Sequence, residues 1–550
     1  MTKITLKNIR NHIIGGNILF DTPYGKRHLL YTDYTASGRG LALIESKLIN
    51  ILKSYANTHT EDDYSGKYTT ELMHSAEAKI KALVNAGPKG KIIPVGSGTT
   101  GALKKLQEII GVYIPPAARE RMKAALIPEK NRPVVFIGPY EHHTNELMWR
   151  EAYAEVQKIP FSREGTLDLD VLEKKLRQDK YQGRMKIGSF SAGSNITGIL
   201  TPTEELARIC HRHEAMVFFD FAAVAPYIPI DMNTDDEAYY DAIFFSPHKF
   251  LGGPGSCGIL IFREDIYRKD LPPTAAGGGT VDFVGFTEQD YSRDIETREK
   301  AGTPPILQVI KAALAMELKD KIGIDTIEKT EKDHKKYFMD KLEEIPGIEM
   351  VGDVPQEKRI SIISFNIRHK DRILHPKFVT KLLNDLFGIQ TRAGCSCAAP
   401  YGHILLDIDE ERSQEFRRMI QRNYQGLKPG WVRVNLHYTL SREDIDYLLQ
   451  AVDFAAREGV HFLKKYAFNM ENGEWSCLTF QEKPAVFGFD EDFQPETIQR
   501  SQIPELRSRY LQEAELMAVQ LRAEPDLPFI RDSEEIESIK TFYYIHRKAS

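Results

Sequence analysis

Lys249 closes the stretch Ser246-Pro-His-Lys249, between an apolar run, Ala242-Ile-Phe-Phe245, and a glycine cluster, Gly252-Gly-Pro-Gly255. The apolar run predicts a strand, so the lysine is presented where the strand stops and where glycines let other groups approach. An amine held in this way can condense with a carbonyl or act as a base. Four other polar groups each follow a predicted strand of their own. Gly96-Ser-Gly-Thr-Thr-Gly101 sets small residues and the hydroxyls of Thr99 and Thr100 at the opening of a helix, a composition that binds phosphate through backbone N–H groups and the helix dipole. Glu141-His142-His143 offers a flat imidazole, and Ser194-Asn195-Ile-Thr197-Gly198 an amide. Asp220 ends the run Ala215-Met-Val-Phe-Phe219, and a carboxylate there can pair with a protonated ring nitrogen. Taken singly, each has a plainer reading: a solvated lysine, a strand-to-helix turn, a surface histidine pair, a polar turn, an aspartate capping a helix.

Their order gives them weight together. An amine, an anion cradle, a stacking ring, an amide and a carboxylate, each at a separate strand end, are what pyridoxal 5'-phosphate requires of a protein.

The strands that must position these groups are Ile92–Val95, Val134–Ile137, Ile187–Ser191, Val217–Asp220, Ala242–Ser246 and Gly258–Phe262, with amphipathic stretches such as Leu169–Arg177 and Thr203–His213 between them. That alternation predicts an α/β fold with a mostly parallel sheet, its ligands bound beyond the strand C-termini. After Pro304-Pro305 the pattern changes. Ile306–Lys341 reads as long helices interrupted near Gly323, Arg359–Asn366 as a half-exposed strand, Pro376–Phe387 as a helix, then Val432–His437 and Arg442–Ala456 as strand and helix. This predicts a smaller α+β domain. Gln499–Ala523 reads as a charged amphipathic helix. The expected division is an N-terminal segment over residues 1–35 packing with the small domain, a large cofactor-binding domain over 36–305, the small domain over 306–460 and an extension over 461–550.

Composition narrows the function classes. The 550 residues exceed one compact core, and 42% hydrophobic with 27% charged residues is ordinary for a globular protein. A net charge of −5 implies no general affinity for nucleic acid. No apolar run is long enough to cross a bilayer, and the N-terminal residues lack the apolar core of a signal peptide. Five cysteines make no disulfide framework, so a reducing cytoplasm is the expected compartment.

With these segments in this order, the chain resembles the class V aminotransferase group of fold-type I pyridoxal phosphate enzymes, and within it cysteine desulfurases and selenocysteine lyases, over roughly residues 28–460. The resemblance implies a three-layer large domain with a mostly parallel seven-stranded sheet. It implies Lys249 as the lysine that bonds the cofactor; Thr99, Thr100, Ser246 and His248 as phosphate ligands; and His142 as the stacked ring. It further implies Asn195 beside the phenolic oxygen and Asp220 as the pyridine partner. Tyr31-Thr-Asp-Tyr-Thr-Ala36 is similar to the family's substrate-side segment, with His59 in the polar loop that follows. Ala301-Gly-Thr303-Pro resembles a loop reaching the neighbouring subunit's phosphate, which implies a homodimer.

Arg392-Ala-Gly-Cys395-Ser-Cys397 is similar to the family's Arg-x-Gly-x-x-Cys loop, whose cysteine accepts sulfur as a persulfide; Cys397 holds that register. Arg433 resembles the arginine that clamps the substrate carboxylate. The implied reaction is sulfur abstraction from L-cysteine or selenocysteine, giving alanine, with Lys249, His142 and Cys397 catalytic and Arg392, Arg433 and His59 binding substrate. A sulfur-acceptor protein would follow. Alternatives stay open for the cysteine pair: a metal site with His403, which lacks an evident fourth ligand; inert packing; or Cys395 as acceptor or resolving thiol. Two rival functions stay open as well, another class V enzyme acting on an amino acid without a persulfide, and a degenerate scaffold. The chain departs from desulfurases at Ala223, where they carry a Gln three residues after the Asp. Its Gly-Cys-x-Cys loop is similar to molybdenum cofactor sulfurases.

Overall fold

The computed structural model describes residues 5–58, 60–96, 98–122, 127–352, 354–489 and 494–548. The chain forms two compact units. The first comprises residues up to Ile14, Thr35–Glu328 and Lys358–Ile360; the second comprises Gly15–Tyr34, Lys329–Glu357 and the chain from Ser361 onward.

The first unit is built on a seven-stranded sheet. Its strands are β1 (Gly90–Val95), β2 (Val134–Ile137), β3 (Glu155–Lys158), β4 (Lys186–Ser191), β5 (Ala215–Asp220), β6 (Ala242–Phe245) and β7 (Gly258–Arg263). They lie in the order β1-β7-β6-β5-β4-β2-β3. β7 runs antiparallel to both its neighbours, and every other ladder is parallel. The sheet is therefore mostly parallel, and the loops that follow β1, β2, β4, β5 and β6 leave from one edge. Strands such as Val134–Ile137 and Ala242–Phe245 are buried at every position, which is why they read as continuous apolar runs without alternation. Helices α1 (Gly98–Ile109), α2 (His143–Arg150) and α3 (Thr203–Arg212) follow β1, β2 and β4. Leu103 and Leu106 of α1 and Trp149 of α2 share a core with Val135, Phe218 and Phe244. The strand expected through Ser246 stops at Phe245, because Pro247 starts a short 3-10 turn, Pro247–Lys249.

The second unit carries a four-strand antiparallel path ordered Ile348–Met350, Ile362–His369, Trp431–Asn435, Arg392–Gly394. The strand expected at Arg359–Asn366 to be half-exposed is buried over Ile362–Ile367. Ser364 and Asn366 mimic a solvent face in sequence but lie inside. The helix Pro376–Phe387 forms as expected and ends at Gly388, with φ +72°, where a Cβ would stand 2.1 Å from the His28 carbonyl oxygen.

Residues beyond 460 are part of this core. Tyr466–Phe468 pairs with Trp475–Cys477 and with His546–Arg547. The helix Ile503–Ala523 buries Tyr510, Ala514, Ala518 and Leu521, and its Glu513 pairs with buried Arg27 at 3.0 Å. Among the described residues, no helix is long and apolar enough to cross a membrane.

Candidate active site

In the first unit the polar groups gather at the sheet edge where β1, β2, β4, β5 and β6 end. The Thr99 N–H donates to Ser246 Oγ at 2.9 Å, and the Thr99 hydroxyl stands 2.8 Å from the same atom. The start of α1 is thereby tied to the residue that follows β6. Gly98 adopts φ +56°, and a Cβ there would stand 2.8 Å from Ser246 Oγ and 3.2 Å from His248 Cε1. Only glycine leaves that concavity open. Burial, with Lys249 alongside, lowers the His248 pKa to about 4, so the ring is neutral at pH 7 and offers an N–H rather than a positive charge. Thr100 Oγ1 lies 2.9 Å from Thr144 Oγ1, next to the start of α2.

The 3-10 turn fixes Lys249. Its N–H donates to the Ser246 carbonyl at 3.0 Å, and the Gly38 N–H donates to the His248 carbonyl at 2.9 Å. The glycines behind it permit close approach: a Cβ on Gly253 would meet the Pro247 carbonyl oxygen at 1.9 Å. Asp220 is buried at the end of β5, where it accepts from the Ala222 N–H at 2.8 Å. Burial raises its pKa to about 6, and the Lys249 charge acts in the opposite direction. Ala223, where desulfurases carry Gln, is buried.

His142 is the N-cap of α2. Its Nδ1 accepts from the Thr144 N–H at 3.1 Å, which leaves the ring proton on Nε2. Asn195 is buried in a turn held by Ser194, whose Oγ accepts from the Ile196 N–H at 3.1 Å. Thr303 is exposed and accepts from Asn57 Nδ2 at 3.0 Å. His59 lies outside the described residues.

The second unit brings Arg392 and Arg433 directly opposite each other across antiparallel strands. Asp33 joins them, accepting from Arg433 Nη2 at 2.8 Å and from Arg392 Nε at 2.9 Å. Cys397 is exposed and Cys395 half-buried. They occupy a tight turn closed by the Ala398 N–H donating to the Cys395 carbonyl at 3.1 Å, with Ser396 at φ +48° and Cys397 at φ +58°. Two consecutive left-handed residues that are not glycine hold strain of about 1–2 kcal/mol each. Exposure argues against inert packing of Cys397. Among the described residues, no three His, Cys, Asp or Glu side chains are grouped as metal ligands would be. Cys210, Cys257 and Cys477 are buried, and all five cysteines are free.

The family model described as aminotransferase class-V matches residues 30–448. This chain belongs to the class-V aminotransferase family. A probable cysteine desulfurase of Halalkalibacterium halodurans is 30% identical over 378 residues, covering 68% of this chain and 84% of that protein. A probable cysteine desulfurase of Staphylococcus aureus is 27% identical over 399 residues, covering 71% and 88%. Among solved structures, the apo cysteine desulfurase of Thermococcus onnurineus matches with a TM-score of 0.64 at 23% identity, over 82% of this chain and 98% of that one. The Escherichia coli cysteine desulfurase CsdA matches with a TM-score of 0.61 at 21% identity, over 82% and 99%. These last two likenesses establish the fold.

Class-V enzymes depend on pyridoxal phosphate, and the first unit fits that group on its own geometry. The concavity at Gly98 is lined by a helix start, two hydroxyls and a neutral imidazole, a donor set for a phosphate. Asp220, buried near Lys249, is suited to a cationic ring nitrogen.

Two residues escaped the reading of sequence alone. Glu141 begins the Glu-His-His segment but had no role of its own; it is buried and accepts from four donors, among them Asn145 Nδ2 and the Ser191 hydroxyl, both at 2.6 Å. Asp33 lay inside a segment noted only as substrate-side. Its one signal was an acidic residue two positions beyond a short apolar strand, Leu30–Tyr31.

Proposed function

We propose that this class-V enzyme abstracts sulfur from L-cysteine, or selenium from selenocysteine, and leaves it on Cys397 as a persulfide, or as the corresponding S–Se species, with alanine as the other product. The observation that carries the reading is the presentation of Cys397 on a strained, exposed turn five residues after Arg392. The curated relatives bear the corresponding name. Arg392 itself is paired through Asp33 to Arg433.

In this reading Thr99, Thr100, Ser246 and His248 hold the phosphate, Lys249 is the covalent anchor, His142 stacks on the ring, Asn195 faces its phenolic oxygen and Asp220 holds the proton on its nitrogen. Bound pyridoxal phosphate supplies an electron-withdrawing ring beside the substrate Cα. Arg433 orients the substrate through its carboxylate, with Arg392 and His59 beside it. The Lys249 amine takes the Cα proton and returns one on the way to alanine. The Cys397 thiolate forms a bond to the substrate sulfur as the Cβ–S bond breaks.

Two copies acting together belong to the same proposal. The hairpin Val281–Val284 and Gln289–Tyr291 leaves Phe283, Val284 and Phe286 exposed, and Thr303 lies on the exposed loop nearby in sequence. An apolar hairpin tip of this kind marks a surface that a partner covers. A cytoplasmic setting suits five free thiols, and an acceptor protein would take the sulfur onward.

Purified holoenzyme given L-cysteine should yield alanine and reducible sulfide in equal amounts. Cys397→Ala should abolish both while the yellow cofactor band stays. Turnover that survives Cys397→Ala would favour a class-V reaction on an amino acid without a persulfide.

A further inference from the structure

We propose that Asp33 is a positioning residue that presets Arg433 and Arg392 for a single substrate carboxylate. The inference rests on the assignment of Arg433 as the carboxylate partner.

Arg392 and Arg433 are register partners in an antiparallel ladder. Like charges directly opposite across strands repel and destabilise the pair. Asp33 relieves this by giving one oxygen to each: Oδ1 accepts from Arg433 Nη2 at 2.8 Å and Oδ2 from Arg392 Nε at 2.9 Å. Its backbone is fixed from both sides. The Thr32 N–H and hydroxyl donate to the Gln390 carbonyl at 3.0 and 2.7 Å, and the Asn435 N–H donates to the Thr32 carbonyl at 2.8 Å. Gln390 lies two residues before Arg392, and Asn435 two residues after Arg433. The residue preceding Asp33 is thus tied to the strand that carries Arg433 and to Ile389–Gln390, the short strand just before that of Arg392, and Tyr31 Oη donates to the Asp33 carbonyl at 3.0 Å.

Charge and burial give this arrangement its consequence. Two guanidiniums and one carboxylate leave one net positive charge, a match for a ligand with one carboxylate. The side chain of Arg433 is 4% exposed and that of Asp33 is 11% exposed, whereas Arg392 is 45% exposed. Without Asp33, Arg392 relaxes into water, while buried Arg433 loses the charge-assisted hydrogen bond that holds its Nη2. A loss of net negative charge would by itself tighten carboxylate binding; a loss of orientation weakens it. The double tether of Thr32 identifies orientation as the term that Asp33 supplies.

The test titrates holoenzyme calorimetrically with L-alanine and with ethylamine, which keeps the amine but lacks the carboxylate. Wild type should prefer alanine. Asp33→Asn should cut that preference by roughly tenfold or more, with ethylamine affinity unchanged and with Asp33→Glu restoring part of the loss. With L-cysteine the same variant should raise KM while kcat stays within a few-fold. Alanine binding that is unchanged or tighter in Asp33→Asn overturns the proposal, because Asp33 then merely competes for Arg433. Equal weakening of alanine and ethylamine overturns it as well, since the role is then structural, and so does a wild type with no preference for alanine. A wild type that binds alanine selectively but releases no sulfide from cysteine would sink the sulfur reaction and leave the role of Asp33 intact.

Discussion

Glu141 accepts from both the backbone N–H and the hydroxyl of Ser191, the residue that lies opposite Asp220 in the parallel ladder. Two buried carboxyls are therefore coupled through one strand. Burial raises Glu141 to about 7, and the Asp220 charge adds to the shift; burial raises Asp220 to about 6. Both bind their protons more tightly in the folded chain than in the unfolded one. The stability they contribute is complete below pH about 4 and is lost as pH rises through 6 and 7, at roughly 3 kcal/mol per group. Denaturant unfolding of cofactor-free protein should show stability falling between pH 4 and 7. Glu141→Gln should flatten the upper part of that slope.

Gly98→Ala should act on the cofactor rather than on the fold. The added methyl meets Ser246 Oγ and His248 in the concavity assigned to the phosphate, and φ +56° disfavours it further. Cofactor affinity should drop by at least about tenfold, a loss of about 1.4 kcal/mol, read as loss of the visible band on dialysis. A helical circular dichroism signal equal to wild type should accompany it.

Asp220→Asn removes the charge that would hold the ring-nitrogen proton while keeping the hydrogen bond from Ala222. The rate of alanine formation should fall by about 10²–10⁴, the usual worth of a positioned proton-holding group. Single-turnover kinetics on the loaded enzyme would measure it.

Ser396→Gly should relieve the turn that presents Cys397. Glycine adopts φ +48° without a Cβ penalty, so the variant should gain about 1 kcal/mol in denaturant unfolding. Persulfide formation should slow, because the thiol is then less firmly presented; alkylation of Cys397 under single-turnover conditions reports this.

If the proposed dimer forms through the exposed hairpin, Phe286→Asp should convert it to a monomer in analytical ultracentrifugation, with the fold unchanged. Phe286 is fully exposed and buries nothing within the chain, so its replacement costs no core packing.

Six of the seven strands of the first unit were legible because they are largely buried on both faces and so stand out as apolar runs; Glu155–Lys158, a partly exposed strand at the sheet edge, carries no such run and was missed. β2 and the helix Pro376–Phe387 match their sequence boundaries. Ser246 was misplaced by one residue, since the apolar pattern carries no mark of where Pro247 turns the backbone. The strand at Ile362–His369 misled because Ser364 and Asn366 are buried polar residues, which periodicity reads as exposed. Asp220 could be found because it ends an apolar run, and Lys249 because it closely follows one and precedes a glycine cluster. Asp33 could not, because its partner Arg433 is 400 residues away along the chain, and Glu141 could not, because its bonds to Ser191 cross to a strand 50 residues on; no local pattern encodes either pairing.

Pairing of Tyr466–Phe468 with His546–Arg547, together with burial of Phe542 and Tyr544, sets an order of events during synthesis. The sheet of the first unit is complete once residue 263 has emerged, and it can form while the rest is still being translated. The second unit has to wait for its closing strand near residue 547. The loop bearing Cys397 is made some 150 residues earlier, so its thiol spends that interval on a chain whose surrounding core is unfinished. A nascent chain stalled after Lys465 should therefore bind pyridoxal phosphate yet leave Phe378, which packs on Tyr466 and Trp475 in the finished protein, without that cover, read as rapid hydrogen exchange in the helix Pro376–Phe387.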